Sequence, residues 1–314
     1  MLRTVAALLL AAGLACAAAP AAAPTRVIPP GVSVAGIRVG GLSAEPARQR
    51  VETAFSRPVL ISYRHKTMRI SPRQVAAAIG VDSAVTSALA ATPRSDIALP
   101  IRYSGTKLAK LVDYLAHRFD RAAVDTTVVG ADGNGPQFTP TKTGLAVDRK
   151  TMRAALGQLL QQSTRPPLQL ITHPVQPNVT PANYGPVIVI TRSANTLVLY
   201  DGTQVVQSFH VATGQARYPT PSGLWHIVTM QRNPWWYPPT QDDWAKGLKP
   251  VPPGPDNPLG TRWMGLDAAG VGIHGTDAPA SIGYSVSHGC IRMQVPEAEW
   301  LFEHVRVGTP VVIL

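Results

Sequence analysis

The sequence predicts an α+β chain made of two unlike units: a smaller α+β N-terminal domain and a mainly β C-terminal domain. Three observations lead there. Apolar residues recur at helical spacing between residues 44 and 160, broken by short strand-like patches. Runs of β-branched residues crowd together beyond residue 185. All six tryptophans, Trp225, Trp235, Trp236, Trp244, Trp263 and Trp300, fall in the second half, so the halves differ in composition as well as in period. A chain of 314 residues is long enough to bury two cores.

Residues 1–24 read as a targeting segment, either a signal peptide or an N-terminal anchor. Arg3 gives a short positive start, Val5 to Ala19 is apolar and small, and the alanines around Ala19 to Ala23 offer cleavage points. The run is too short and alanine-rich for a membrane span. The expectation is an exported protein, touching the membrane only through an uncleaved leader. Leu14 stands one place too late before Cys16 for a lipid-attachment signal.

The first domain is expected over 25–178. The alternating, glycine-flanked stretch Gly31 to Gly41 predicts a short strand region. Ala47, Val51 and Phe55 share one helical face, and Ser71-Pro72-Arg73-Gln74 has the cap, proline and capping-box glutamine of a helix start. Leu108, Leu111, Val112, Leu115 and Phe119 mark a third helix. Met152, Leu156, Leu159 and Leu160 mark a fourth, capped by Asp148. His65, His117 and His173 are scattered singly, with no acid pair, metal-ligand spacing or phosphate loop near them.

Gln176 to Pro181 has the composition of a linker, placing the second domain at 179–314. Val187 to Ile190, Thr196 to Tyr200 and Val205 to Val211 predict strands, with Asp201-Gly202 as a hairpin turn. The aperiodic, proline-rich stretch from Asn233 to Asp256 predicts a long surface loop.

With 29 lysines and arginines against 18 acidic residues, the chain carries a formal net charge of +11 and a pI of about 10.0. That balance suits polyanionic surroundings: nucleic acid, anionic lipid or an anionic cell wall. No zinc-finger or RNP-like pattern and no basic cluster interleaved with aromatics appears, which excludes nucleic acid as the expected partner.

The chemistry concentrates in Ser287-His288-Gly289-Cys290-Ile291-Arg292 and in His274-Gly275 upstream. Outside the leader Cys290 is the only cysteine, an unpaired thiol in an exported chain and so read first as reactive. An ordinary thiol is mostly protonated at neutral pH, and a nearby imidazole relieves this by taking its proton or pairing with the thiolate. His274 and His288 are the candidates. Gly289 permits unusual backbone geometry, and the peptide N–H groups around Gly289 and Cys290 are natural oxyanion donors. Ser287 is placed to hydrogen-bond a histidine, and Gly275 to offer its carbonyl to His274. Arg292 suits either a substrate carboxylate or neighbouring backbone. The three His and Cys side chains are also zinc ligands by type, but no fourth ligand stands at a recognisable spacing, so no metal or other cofactor is expected.

Ile273-His274-Gly275-Thr276, Ser281-Ile282-Gly283 and Ser287 to Met293 together resemble the active-site signature of the L,D-transpeptidase (YkuD-type) catalytic domain. Thr220 to Trp225 and Asn257 to Met264 are similar to the family's sequence on the approach to that site. The resemblance implies a β-sandwich-like catalytic domain with Cys290 as nucleophile and His274 as base. It also implies a capping segment at the long loop, whose Trp235, Trp236 and Tyr237 would bind substrate and exclude water. Pro30 to Ser43 and Gly144 to Asp148 resemble the peptidoglycan-binding-like domain that precedes VanW-type and some L,D-transpeptidase domains, which implies a wall-binding or spacing role. The implied reaction is 3-3 cross-linking of peptidoglycan stem peptides through a cysteine thioester, in the cell wall or periplasmic space of a bacterium, by a protein expected to be a monomer. An L,D-carboxypeptidase with water as acceptor, and a non-catalytic peptidoglycan-binding protein, are the alternatives.

Overall fold

The computed structural model describes residues 26–239 and 242–314. The expected targeting segment, with Cys16, lies outside the described residues. The chain forms two compact units that interleave along the sequence. The first comprises the described residues up to Phe119 together with Val147–Thr172, and the second comprises Asp120–Ala146 and His173–Leu314.

In the first unit the apolar stripes become buried helix faces. Helix α1 (Ala44–Ser56) buries Ala47, Val51 and Phe55, and α2 (Val81–Leu89) packs against it over Val85 and Ala88. Strands β1 (Val59–Tyr63) and β2 (Lys66–Ile70) pair antiparallel, and Leu168–Gln169 adds to β1 in parallel, leaving β2 at the edge. Helices α3 (Gly105–Phe119) and α4 (Arg149–Leu160) cover this sheet with Leu108, Val112, Leu115, Met152 and Leu156. Asp148 caps α4 by accepting from the Thr151 N–H at 3.0 Å.

One local expectation needs correction, and one helix went unread. Ser71 does form its capping box with Gln74, but the turn it starts is a single 3-10 turn, Pro72–Val75, ended by Ala76 in the left-handed region. The alanine run that follows lacks the apolar stripe that would justify a longer helix. Helix α2 is absent from the sequence reading although Val81, Ala84, Val85 and Ala88 recur at helical spacing and form its buried face.

The second unit is built on an eight-stranded sheet. Its strands are β3 (Pro186–Thr191), β4 (Thr196–Asp201), β5 (Gln204–His210), β6 (Gly223–Arg232), β7 (Arg262–Leu266), β8 (Gly272–Gly275), β9 (Ile291–Met293) and β10 (Pro310–Ile313). The order across the sheet is β5-β4-β3-β10-β6-β7-β8-β9. Only β3–β10 and β8–β9 are parallel pairs. Helix α5 (Val295–His304) packs on β7 and β8, and the core beneath it joins Ile188, Leu197, Ile227, Met264, Ile273, Ile291 and Leu301.

A single domain boundary at residue 178/179 does not describe this unit. The hairpin formed by Val128–Asp132 and Gly135–Phe138 belongs to it, because Val128 packs with Val187 and Val312 in a separate apolar cluster. The presumed linker is tied down as well. The N–H groups of Asn178 and Val179 both donate to Asp125 Oδ1, at 2.7 and 3.0 Å.

Candidate active site

Strand alternation places the candidate residues. On the paired strands β8 and β9, Ile273, Ile291 and Met293 enter the core, which sends His274 and Arg292 to the opposite face. In register His274 stands across from Arg292, and Cys290 sits just before the first residue of β9. The parallel pairing thus brings His274 to the strand beside Cys290 from sixteen positions earlier in the sequence.

His274 is buried, 4% exposed. Its Nδ1–H donates to the Gly275 carbonyl at 2.5 Å, which fixes the tautomer and leaves Nε2 as the bare, basic nitrogen. Burial lowers its pKa to about 4, an effect the Gly275 carbonyl opposes and the Arg292 charge reinforces. The indole of Trp263, directly across from His274 on β7, lies 5.8 Å from the imidazole between ring centres. It occupies a slot that two glycines leave open: a Cβ at Gly272 would collide with its six-membered ring, and one at Gly265 would lie 2.8 Å from its Nε1.

The Ser287-His288-Gly289-Cys290 turn is held from inside. Ser287 is fully buried; its Oγ donates to the Cys290 carbonyl at 2.6 Å and accepts the Gly289 N–H at 3.2 Å. Ser287 therefore shapes the turn and bonds no histidine. Gly289 has φ +109°, where a side chain is strained. Its carbonyl accepts from Thr220 Oγ1 at 2.9 Å, and that oxygen in turn accepts the Gly214 N–H at 2.8 Å. The Gly289 N–H, expected as an oxyanion donor, is engaged within its own turn.

Cys290 is half-buried, and its thiol donates to the Gly270 carbonyl at 3.5 Å. Burial pushes the thiol pKa up, against the lowering effects of the Gly272 N–H and the Arg292 charge. A raised thiol beside a depressed imidazole means that the neutral pair, not the thiolate–imidazolium pair, is the resting form. Arg292 ties its backbone to Ala212 by two 2.9 Å bonds, while its guanidinium meets no carboxylate at ion-pair distance among the described residues. Its charge reaches His274, His288 and Cys290 alike.

His288 has two aromatic neighbours. Trp244 stacks on it at 3.9 Å and 14°, and Tyr218 leans on it at 5.0 Å. Burial and Arg292 lower its pKa, and Asp242 works the other way. Trp244 belongs to the long loop, so the loop does reach the Ser-His-Gly-Cys turn, but through a residue the sequence does not single out. Trp235 and Tyr237 are exposed and stack on each other at 6.2 Å, and Trp236 exchanges two backbone bonds with Val251. None of the three has a ring contact or hydrogen bond to His274, His288 or Cys290 among the described residues. Buried Asn257 closes the loop, donating from Nδ2 to the carbonyls of Pro234 (2.9 Å), Val251 (3.3 Å) and Pro252 (3.0 Å). Among the described residues no group of three or more His, Cys, Asp or Glu stands together as a metal-ion ligand set.

Residues 185–313 match the L,D-transpeptidase catalytic domain of the YkuD family. A Bacillus subtilis protein named as an L,D-transpeptidase, YqjB, is 37% identical over 134 residues, which is 41% of this chain and 70% of that protein. The chain belongs to the L,D-transpeptidase family. A second Bacillus subtilis protein so named, YkuD, is 34% identical over 126 residues, covering 40% of this chain and 64% of its own length. A solved Enterococcus faecium L,D-transpeptidase aligns at 18% identity over 84% of this chain and 98% of that one, with a TM-score of 0.37. The L,D-transpeptidase match takes in His274, the Ser-His-Gly-Cys turn and the eight-stranded sheet, and leaves the first unit outside it.

Proposed function

We propose that the protein cross-links peptidoglycan stem peptides by a cysteine acyl transfer. The observation that carries this reading is His274, locked in one tautomer by the Gly275 carbonyl on the strand next to Cys290. Cys290 Sγ attacks the carbonyl of the diamino acid at the third position of a stem tetrapeptide, and His274 Nε2 takes the thiol proton as the C–S bond forms. Because the resting pair is neutral, proton transfer accompanies attack. The tetrahedral oxyanion is met by the Cys290 peptide N–H, since the Gly289 N–H is held by Ser287. Collapse expels D-alanine, whose nitrogen receives the proton from His274, and leaves a thioester.

An amine of a second stem then attacks the thioester, loses its proton to His274, and returns the sulfur as thiol. The product is a 3-3 cross-link. The unpaired Arg292 guanidinium suits the carboxylate of the donor's terminal D-alanine. Trp244, stacked on His288, gives the loop the contact it needs to keep water from the thioester.

The test is incubation of the protein with disaccharide tetrapeptide, read by mass spectrometry. Cross-linked dimer is the expected product, and tripeptide alone identifies water as the acceptor instead. Cys290→Ala should give neither product and no mass adduct with a carbapenem. Turnover retained in that variant removes the mechanism.

A further inference from the structure

The basic excess of this chain is not spread over it. Among the described residues the first unit carries 18 lysines and arginines against 6 acidic residues, and the second carries 10 against 12. The net charges are thus +12 and −2. A compositional preference for arginine would act on both units, so the asymmetry marks a property of the first. Within it, residues 53–81 contain no acidic side chain but hold Arg57, Arg64, Lys66, Arg69 and Arg73, all exposed. Lys66 and Arg69 lie on β2, the edge of its sheet, Arg64 is in the turn that enters it, and Arg73 is on the 3-10 turn that leaves it. None of these four has a carboxylate at ion-pair distance among the described residues, whereas Arg48 and Arg149 do. One or two cations suffice to keep an edge strand from pairing with another chain; a net +12 is far more than that needs.

We propose that the first unit docks on a polyol-phosphate polymer of the bacterial envelope, with the acid-free run around β2 as its principal contact. Fourteen of the 18 cations are arginines, whose planar fork matches a phosphate oxyanion better than an ammonium does. Nucleic acid shares the phosphates but is also gripped by stacked bases. The only large apolar side chains strongly exposed on the described part of this unit are Val27 and Tyr114, neither of them in the run. The choice of an envelope polymer rests on the reading of the second unit as a wall transpeptidase, but the binding itself does not require that reading.

The experiment uses full-length Cys290→Ala protein and measures binding to poly(glycerol phosphate), with polygalacturonate, a short DNA duplex and phosphatidylglycerol vesicles as comparison arms. Binding is expected to be tightest to the phosphate polymer. With a log–log salt slope of about −0.7 per phosphate neutralised, four contacts account for roughly 50-fold of affinity between 50 and 200 mM salt. The variant Arg64→Glu/Lys66→Glu/Arg69→Glu/Arg73→Glu should lose that dependence and bind at least about tenfold more weakly. Its thermal midpoint should be unchanged, and the same four changes in active protein should leave turnover of soluble tetrapeptide unchanged. Arg121→Glu/Lys142→Glu, in the other unit, should bind as the parent does. Unchanged affinity and slope in the fourfold variant, or tighter binding of polygalacturonate, DNA or vesicles, overturns the proposal. Failure of the acyl-transfer reading shows separately, in the turnover and adduct assays.

Discussion

At the scale of single residues, the site is defined by what burial does to two ionisable groups. With its pKa near 4, His274 stays neutral and able to accept a proton well below the usual histidine range. Turnover at limiting substrate should therefore persist at pH 5 and fall only near pH 4. An acidic limb close to 6.5 would show that the imidazole is solvated. The same shift links to stability. Between about 4 and 6.5 the unfolded chain binds the His274 proton and the folded one does not, so stability is present above 6.5 and is lost as pH falls toward 4. The whole span is worth roughly 3 kcal/mol, and His274→Asn should flatten that part of the urea-midpoint-versus-pH curve. Trp263, whose indole lies 5.8 Å from the imidazole, is the neighbour whose share in this burial can be tested. Gly272→Ala should displace its indole, raise the acidic limb of the rate profile toward 6.5 and lower kcat/KM by about 100-fold. A rate loss with an unmoved limb would assign Trp263 to packing alone. Little of this is legible in the chain itself: the sequence names His274 and Cys290, but a tryptophan across a strand pair carries no motif.

At the scale of elements, a turn and a loop position the chemistry. Gly289 is held at φ +109° by Thr220 and Ser287, so Gly289→Ala should cost about 1–2 kcal/mol of stability. It should also lower acylation, read as the rate of carbapenem adduct formation. Asn257→Ala leaves the carbonyls of Pro234, Val251 and Pro252 without their shared donor, a cost of about 2 to 3 kcal/mol. Limited trypsin digestion should then cut faster after Lys246, and unchanged cleavage there would mean that Asn257 does not fasten the loop. The helices α1, α3 and α4 and the strands β3 to β5 were readable because each carries a complete period of apolar residues. The loop was readable as a loop but not as a contact. Which of its four aromatics meets His288 depends on how Asn257 gathers the ends, and no local pattern encodes that.

At the scale of the molecule, the two units exchange a segment, so the catalytic unit is larger than its sequence match. The hairpin 128–138 covers Val187 and Val312, and Gly135 lies against the Tyr200 ring. A fragment starting at residue 179 uncovers these side chains and should be about 3–5 kcal/mol less stable than the same unit in the full chain, since each buried aliphatic contributes about 1.5–3 kcal/mol. Urea unfolding followed by tryptophan fluorescence reads this unit alone, because all six tryptophans lie in it. Equal midpoints would show the hairpin to be dispensable.

By itself the sequence determined the family, the character of the two halves and the size of the charge, and it named a thiol and an imidazole as the candidate pair. All of these rest on residue type and short-range spacing. Only the tertiary structure decided that the thiol and imidazole rest neutral, that Trp244 and not Trp235, Trp236 or Tyr237 meets the site, and that residues 120–146 cross to the second unit. Desolvation, ring stacking and the covering of an apolar sheet face all depend on residues far apart in the chain, and spacing along the sequence does not encode their meeting.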